Sequence, residues 1–468
     1  MGIPSYFFQL LKKHKHIISV YKPCAVDNLY LDSNSIIYDI VHSMPELPLH
    51  EFEEEVILRV CNKLLSYLDI VKPSCVFIAF DGVPPMAKMK QQRERRYKGW
   101  ITSKWLSAAK TEPEKKPWDT VQITPGTNFM KKLDEALTVF FEPHKSKYAY
   151  FQLSTSQEAG EGEHKLFSFI RESRYHSNQT TMVYGLDSDL IILALNHLEY
   201  CKQIWLLREA PAFALNDDHL HLLDINALST SIEEIMGENK LNDYIFMTLL
   251  LGNDFMPHFP ALNLRTTGMD TLLATYVTTM QNKKMFDGTT IHWGVVREFI
   301  EALATQEETL FLNEYKARNK QVNNSTLEKR IHNLPMLKRE KELIICPTKI
   351  GWQSRYYDTL IQEQKNIPTV CENYVAMLEW NIRYYTTGCL NWKLYYKYSY
   401  PPLLQDLAKY IPDQQIIPVD KTVVTPNELL AYVLPNAQLH YLPIPHELKP
   451  EPTLEWSFCT YMWESHVK

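Results

Sequence analysis

Seven acids stand at punctuated positions in the chain: Asp32, Asp81, Glu161, Glu163, Asp187, Asp189 and Asp254. Glu161 and Glu163 are two apart in Gly160-Glu161-Gly162-Glu163-His164, a turn entering a helix. Asp187 and Asp189 are two apart just past an apolar run, and Asp254 follows another in Leu251-Gly252-Asn253-Asp254. Taken singly, each reads first as a helix cap, a turn residue or a solvated acid. Brought together, they would repel one another and raise each other's pKa unless cations neutralised them. Hard oxygen donors without clustered His or Cys favour Mg²⁺ or Mn²⁺ over zinc. Two such ions suit in-line phosphodiester hydrolysis, one activating water and the other stabilising the leaving oxygen.

A second group of residues could bind an anion. From Met86 to Lys98 the chain carries six cations (Lys88, Lys90, Arg93, Arg95, Arg96, Lys98) against the single anion Glu94. If this segment is helical, Lys88, Gln92, Arg95 and Arg96 follow i, i+4, i+7, i+8 spacing and share one side. Such a face holds a phosphate through charge-assisted bonds, with Arg adding bidentate geometry. A solvated basic helix face is the plain alternative.

The elements that must position these groups are legible as short apolar runs ending at the acids. Leu29–Leu31 runs into Asp32, Cys75–Phe80 into Asp81, and Thr181–Tyr184 into the Asp187 and Asp189 turn. They are rich in Val, Ile, Tyr and Phe and bounded by Gly, Asp or Asn, as buried strands are. Helical patterns lie between and beside them, at Phe52–Leu68, Asn128–Phe141 and Glu163–Ser173. Alternating strands and helices predict an α/β fold with a mostly parallel central sheet flanked by helices. In such sheets functional groups gather at the carboxyl ends of the strands, where these aspartates fall. Residues 300–345 are more polar and read as helix plus surface connection, followed by a Tyr- and Trp-rich stretch from Trp352 to Tyr400.

The 468 residues carry 49 Lys+Arg against 55 Asp+Glu, a net charge of −6 that conceals this segregation of charge. Hydrophobic residues make up 45%, which excludes wholesale disorder. The longest apolar run, near Tyr244–Leu251, is too short to span a membrane. No signal-peptide pattern opens the chain, and Tyr6 breaks the myristoylation pattern, so an intracellular, cytoplasmic protein is expected, with the nucleus as the other compartment. The eight cysteines form no C-x-x-C pair and read as reduced thiols.

Several linked motifs resemble the Xrn family of 5′→3′ exoribonucleases. They are Met1-Gly2-Ile3-Pro4 with Phe7-Phe8, Asp27–Asp32, Phe80–Met89 with Gln91-Gln92-Arg93-Glu94-Arg95-Arg96, and Ile123–Thr127. Gly160–Lys165, Tyr184–Asp189, Leu251–His258, Arg355–Tyr357, Trp380–Tyr396 and Tyr432–Pro435 continue the likeness over most of the chain. The resemblance implies a PIN-like nuclease core binding two Mg²⁺ ions, with Mn²⁺ as a substitute, at all seven acids. It implies a 5′-monophosphate pocket at Lys88, Gln92, Arg95 and Arg96. It also implies stacking of the first base between Tyr38, where the family has histidine, and Trp392. Leu394 stands where the family has a second tryptophan.

The expected organisation is a nuclease region over 1–300, a shortened connection over 301–344, and a second region over 345–468 that completes the pocket. The expected activity is metal-dependent 5′→3′ degradation of single-stranded RNA with a 5′-monophosphate, by a monomer acting after a decapping enzyme and releasing mononucleotides. A flap endonuclease of the same superfamily is the nearest enzymatic alternative. It is disfavoured because Phe255–Leu262, after Asp254, lacks the glycines of a duplex-gripping helix-hairpin-helix. A catalytically inactive RNA-binding scaffold is the other alternative.

Overall fold

A computed structural model describes residues 3, 5–45, 47–109, 118–210, 219–280, 282–323, 331–362, 366–442, 445 and 447–468. Of the Met1–Pro4 motif only Ile3 falls within that set. Seven strands form one sheet: β1 (Ile18–Val20), β2 (Asn28–Asp32), β3 (Cys75–Ala79), β4 (Tyr150–Ser154), β5 (Thr180–Tyr184), β6 (Gln203–Arg208) and β7 (His221–Asp224). Their order is β1-β7-β6-β5-β2-β3-β4, with β2 to β6 mutually parallel and β7 antiparallel to β6. The expected α/β architecture is therefore present, with an antiparallel strand β7 and the short β1 added at one edge.

The chain lays down β2, β3 and β4 in one direction, then returns to the other side of β2 to place β5 and β6. The direction of winding thus reverses between β2 and β5, the place where open α/β sheets form a ligand crevice. Register fixes which groups meet there: Leu31 pairs with both Ile78 and Tyr184, and Asp32 with Ala79. The three aspartate-bearing turns consequently leave the sheet side by side.

Central strand β2 is covered on both faces, and Leu29, Tyr30 and Leu31 are fully buried. Because side chains alternate along a strand, Leu29 and Leu31 join one core with Val76, Ile78, Met182 and Tyr184 under helices Leu49–Val71 and Asn128–Phe141. Tyr30 turns to the opposite core with Phe77 and Val183, under helices Gly162–Glu172 and Asp189–Asn196. That second core runs on into the aromatic-rich half of the chain through Tyr374, Trp380, Tyr384 and Tyr385 of helix Ile367–Thr386.

The basic segment lies in a 24-residue helix, Met86–Ala109. Its apolar residue Met89 packs with Val83 against Leu429, Leu430 and Val433 of helix Pro426–Val433. A 31-residue helix, Trp293–Asn323, carries the polar stretch, and its Phe311 stacks on Trp352. Among the described residues no helix is long and apolar enough to cross a membrane. Every cysteine is a free thiol, five of the eight buried.

Candidate active site

The acids meet at the carboxyl edge of β2, β3 and β5. Asp32 ends β2, Asp81 follows β3 by two residues, and Asp187 lies in the turn after β5. Asp189 begins helix Asp189–Asn196, while Glu161 and Glu163 flank the first residue of helix Gly162–Glu172. Asp254 arrives from outside the sheet. The apolar run before it is helix Leu241–Thr248 continued by a short 3₁₀ turn, so only the spacing of that motif, not a strand, delivers the carboxylate.

Two glycines make the gathering possible. A Cβ on Gly162 would lie 2.6 Å from the Asp32 Oδ1, and the Gly162 N–H donates to Asp81 Oδ1 at 2.7 Å. The glycine between the two glutamates therefore lets a helix N-terminus reach both aspartates at once, where its N–H groups favour negative charge. Gly252 takes φ +76°, and a Cβ there would meet the His258 backbone nitrogen at 2.5 Å. The turn that follows is tied by Asn253, whose Oδ1 accepts from the N–H groups of Phe255 and Met256.

Burial and mutual repulsion dominate the electrostatics. Glu161, Glu163 and Asp189 are at most 5% exposed. Burial first, then the charges of Asp81 and Asp187, holds the Asp32 carboxyl well above its ordinary range. Burial and Asp189 do the same to Glu163, and burial with Asp254 pushes Asp189 up to about 7. Glu163 Oε2 and Asp189 Oδ1 are buried without a hydrogen-bond partner.

Lys88 answers part of this charge. The Lys88 ammonium lies 2.5 Å from Glu161 Oε2 and 2.8 Å from Asp254 Oδ2. Burial alone would favour its neutral form, yet Asp254 and Glu161 hold its pKa well above the ordinary value. In return Lys88 leads the charges that lower the Asp254 carboxyl against its burial, whereas at Glu161 burial prevails and the carboxyl stays raised. Among the described residues, no three Asp, Glu, His or Cys side chains close on one point as a finished metal cage.

The basic helix thus divides its predicted phosphate residues. Lys88 faces the acids, while Arg95 and Arg96 lie two turns further on. Arg95 sits over the Tyr38 ring, 5.4 Å from its centroid, and Arg96 donates to Thr124 Oγ1 at 2.7 Å. Burial lowers the Arg96 pKa to about 10, still well above neutrality. Gln92 keeps a buried Oε1 without a partner beside them. Trp392 is half-buried at the other end of the same helix, its carbonyl accepting from the Met86 N–H at 2.8 Å. Met86 and Arg95 are nine positions apart, so Tyr38 and Trp392 are joined to points separated by roughly 13 Å along the helix axis.

Three participants escaped the sequence reading. Asn34 donates to Asp81 Oδ2 at 2.6 Å and accepts from the Asp81 N–H, so it fixes that carboxylate. The Tyr384 hydroxyl donates to Glu161 Oε1 at 2.8 Å, and its ring stacks on His164 with centroids 3.6 Å apart. The Lys165 ammonium donates to the carbonyls of Phe80 and Thr155, pinning the turn before Asp81. Asn34 could have been found by its place two residues after Asp32. Tyr384 could not, because only the fold brings it to Glu161.

Comparison with known proteins agrees with this arrangement of segments. The sequence model described as the XRN 5′-3′ exonuclease N-terminus matches residues 1–210, and that of the Xrn1 helical domain matches 234–350 and 346–452. The 5′-3′ exoribonuclease 1 of Saccharomyces cerevisiae is 33% identical over 59% of this chain and 20% of its own length. The human 5′-3′ exoribonuclease 1 is 27% identical over 95% of this chain and 31% of its own length. The 5′-3′ exoribonuclease 2 of Kluyveromyces lactis is 32% identical over 67% of this chain and 40% of its own length. The chain therefore spans between a fifth and two fifths of the length of these relatives. Both family regions follow one another along most of this sequence, each supplying partners to the same acidic cluster, and the chain belongs to the XRN 5′-3′ exonuclease family.

Proposed function

We propose that the chain is a metal-dependent 5′→3′ exoribonuclease that degrades single-stranded RNA carrying a 5′-monophosphate and releases mononucleotides. The observation that carries this reading is the junction of seven carboxylates with a basic helix whose Arg95–Arg96 end lies two turns from the cluster. The curated relatives, named 5′-3′ exoribonucleases, support it.

The donor set fits a hard divalent cation. It consists of carboxylate oxygens alone, several with raised pKa, and two of the buried oxygens lack partners. Asp32, Asp81, Glu161, Glu163, Asp187, Asp189 and Asp254 would hold two Mg²⁺ ions, with Mn²⁺ able to replace them. When bound, the ions supply an activated water and stabilise charge on the scissile phosphate and the leaving oxygen. The protein's own part is positional. Asn34 orients Asp81, Tyr384 orients Glu161, and Lys88 offsets part of the charge of the carboxylates. Arg95, Arg96 and Gln92, joined by Lys88, would receive the terminal phosphate, and Tyr38 and Trp392 would stack the first bases. The region 345–468 completes this pocket, a reading supported by Tyr384 and by the Trp392 carbonyl on the basic helix. A monophosphate end, as a decapping enzyme leaves it, matches fixed cations without the bulk of a triphosphate or cap.

The test is digestion of matched single-stranded RNAs, labelled at the 5′ or the 3′ end, with 5′-monophosphate, triphosphate or hydroxyl termini. Labelled mononucleotide from the 5′ end, with Mg²⁺ and not with EDTA, and only from the monophosphate RNA, is expected. Equal rates on all three ends, or oligonucleotides released at a single-strand–duplex junction, would overturn the assignment.

A further inference from the structure

A cleft of about 240 Å³ opens on another side of the basic helix and touches the acidic cluster at Asp254, which lies in its wall. Gln91, Glu94 and Lys98 form its helical wall. At 100° per residue their stripe is centred roughly 110° around the helix from the stripe of Lys88, Gln92, Arg95 and Arg96. The facing wall is aromatic and includes Tyr398 and Trp463.

The charges of this cleft are balanced. Lys90, Lys98 and Arg265 are matched by Glu94, Glu464 and Asp254. The cations are also occupied: Lys90 donates to the carbonyls of Tyr396 and Tyr398, Lys98 to that of Trp463, and Arg265 pairs with Glu464. Such walls give a nucleotide stacking surface but no fork of donors to clamp a phosphate. They suit transit better than capture.

On the exonuclease reading above, each cleavage leaves a nucleoside 5′-monophosphate with its phosphate against Arg95 and Arg96. The remaining RNA fills the way in behind it, and the next 5′-phosphate cannot enter until the nucleotide has gone. We propose that the cleft beside Asp254 is the passage through which the released nucleoside 5′-monophosphate leaves, separate from the path of the RNA.

The test separates the first cleavage, which needs no exit, from those that follow. Gln91→Trp obstructs the cleft from the helix, and Ser399→Trp obstructs it from the opposite wall. Both are compared with wild type by rapid quench, with enzyme in excess over 5′-monophosphate RNA, after their unfolding midpoints are matched to wild type. The expected result is first-nucleotide formation at the wild-type rate, with the second and later nucleotides slowed about tenfold or more because release limits turnover. Equal slowing of the first and later steps would mean that the RNA itself runs through the cleft. No slowing at any step would mean that nothing passes there. Either result overturns the proposal. Absence of any nucleotide from wild type would instead overturn the exonuclease reading on which it rests.

Discussion

Replacing Lys88 by methionine tests the electrostatic logic of the cluster most directly. The Lys88 side chain is 13% exposed, its ammonium bridges Glu161 and Asp254, and its field also reaches Glu163, Asp189 and Asp32. Removing one partner of a buried ion pair costs about 3–5 kcal/mol, because the surviving charge is left uncompensated. The carboxylates have an escape, since raised pKa values let them take up protons instead. The sign follows from this. With a folded pKa above the unfolded one, each such acid is most comfortable below its ordinary value, and stability is lost as pH rises through the folded value. The deficit of Lys88→Met should therefore be large at pH 8 and shrink by about half or more at pH 5.5, as the cluster protonates. Mg²⁺ should restore much of the loss at pH 8, because a divalent ion supplies the charge that lysine gave up. The assay is urea and thermal unfolding of the metal-free and Mg²⁺-loaded protein at both pH values. A variant as stable as wild type at pH 8, or a deficit indifferent to pH, would refute the role assigned to Lys88.

Other outcomes follow from the same geometry. Because burial and Asp254 push Asp189 up to about 7, Mg²⁺ binding should release protons near neutrality and tighten as pH rises from 6 to 8. Titration calorimetry in buffers of different ionisation enthalpy checks this, and a buffer-independent heat would contradict it. Asp189→Asn should stabilise the metal-free protein at pH 8 and lower cleavage by about a hundredfold or more, read by unfolding and single-turnover hydrolysis. Tyr384→Phe removes the hydroxyl from Glu161 and should lower single-turnover cleavage about tenfold, with unchanged preference among 5′ ends. Arg95→Gln should leave metal-dependent cleavage in place while narrowing the rate gap between monophosphate and hydroxyl ends, measured on the matched RNAs described above.

Much of this architecture could be read from spacing. Strands β2, β3 and β5 are compact apolar runs ending in acids, and their observed bounds fall within a residue of those runs. The edge strands were less legible for physical reasons. β1 has only three residues, two of them exposed, and β4 is mostly half-buried, so neither carries the dense apolar signature of a central strand. Strand β6 mixes Gln203 and Trp205 with Leu206 and Leu207, and its pattern resolves only once its neighbours are known. Within the site, helical spacing put Lys88 and Arg95 two turns apart on one face of the helix. It could not tell that the acids would draw Lys88 to themselves, since that depends on where Asp254 lands. Tyr384 is core on one side, and only its hydroxyl belongs to the site.

The bond from Tyr384 to Glu161 spans 223 residues of sequence. On a ribosome, the sheet and every acid of the cluster would emerge long before their partner from helix Ile367–Thr386 exists. The half-made chain would carry Glu161 without its hydroxyl donor, and the basic helix without the Pro426–Val433 helix that packs on it. Glu161 thus gains its hydroxyl donor only after residue 384 has been made, and the basic helix its packing partner only after residue 433.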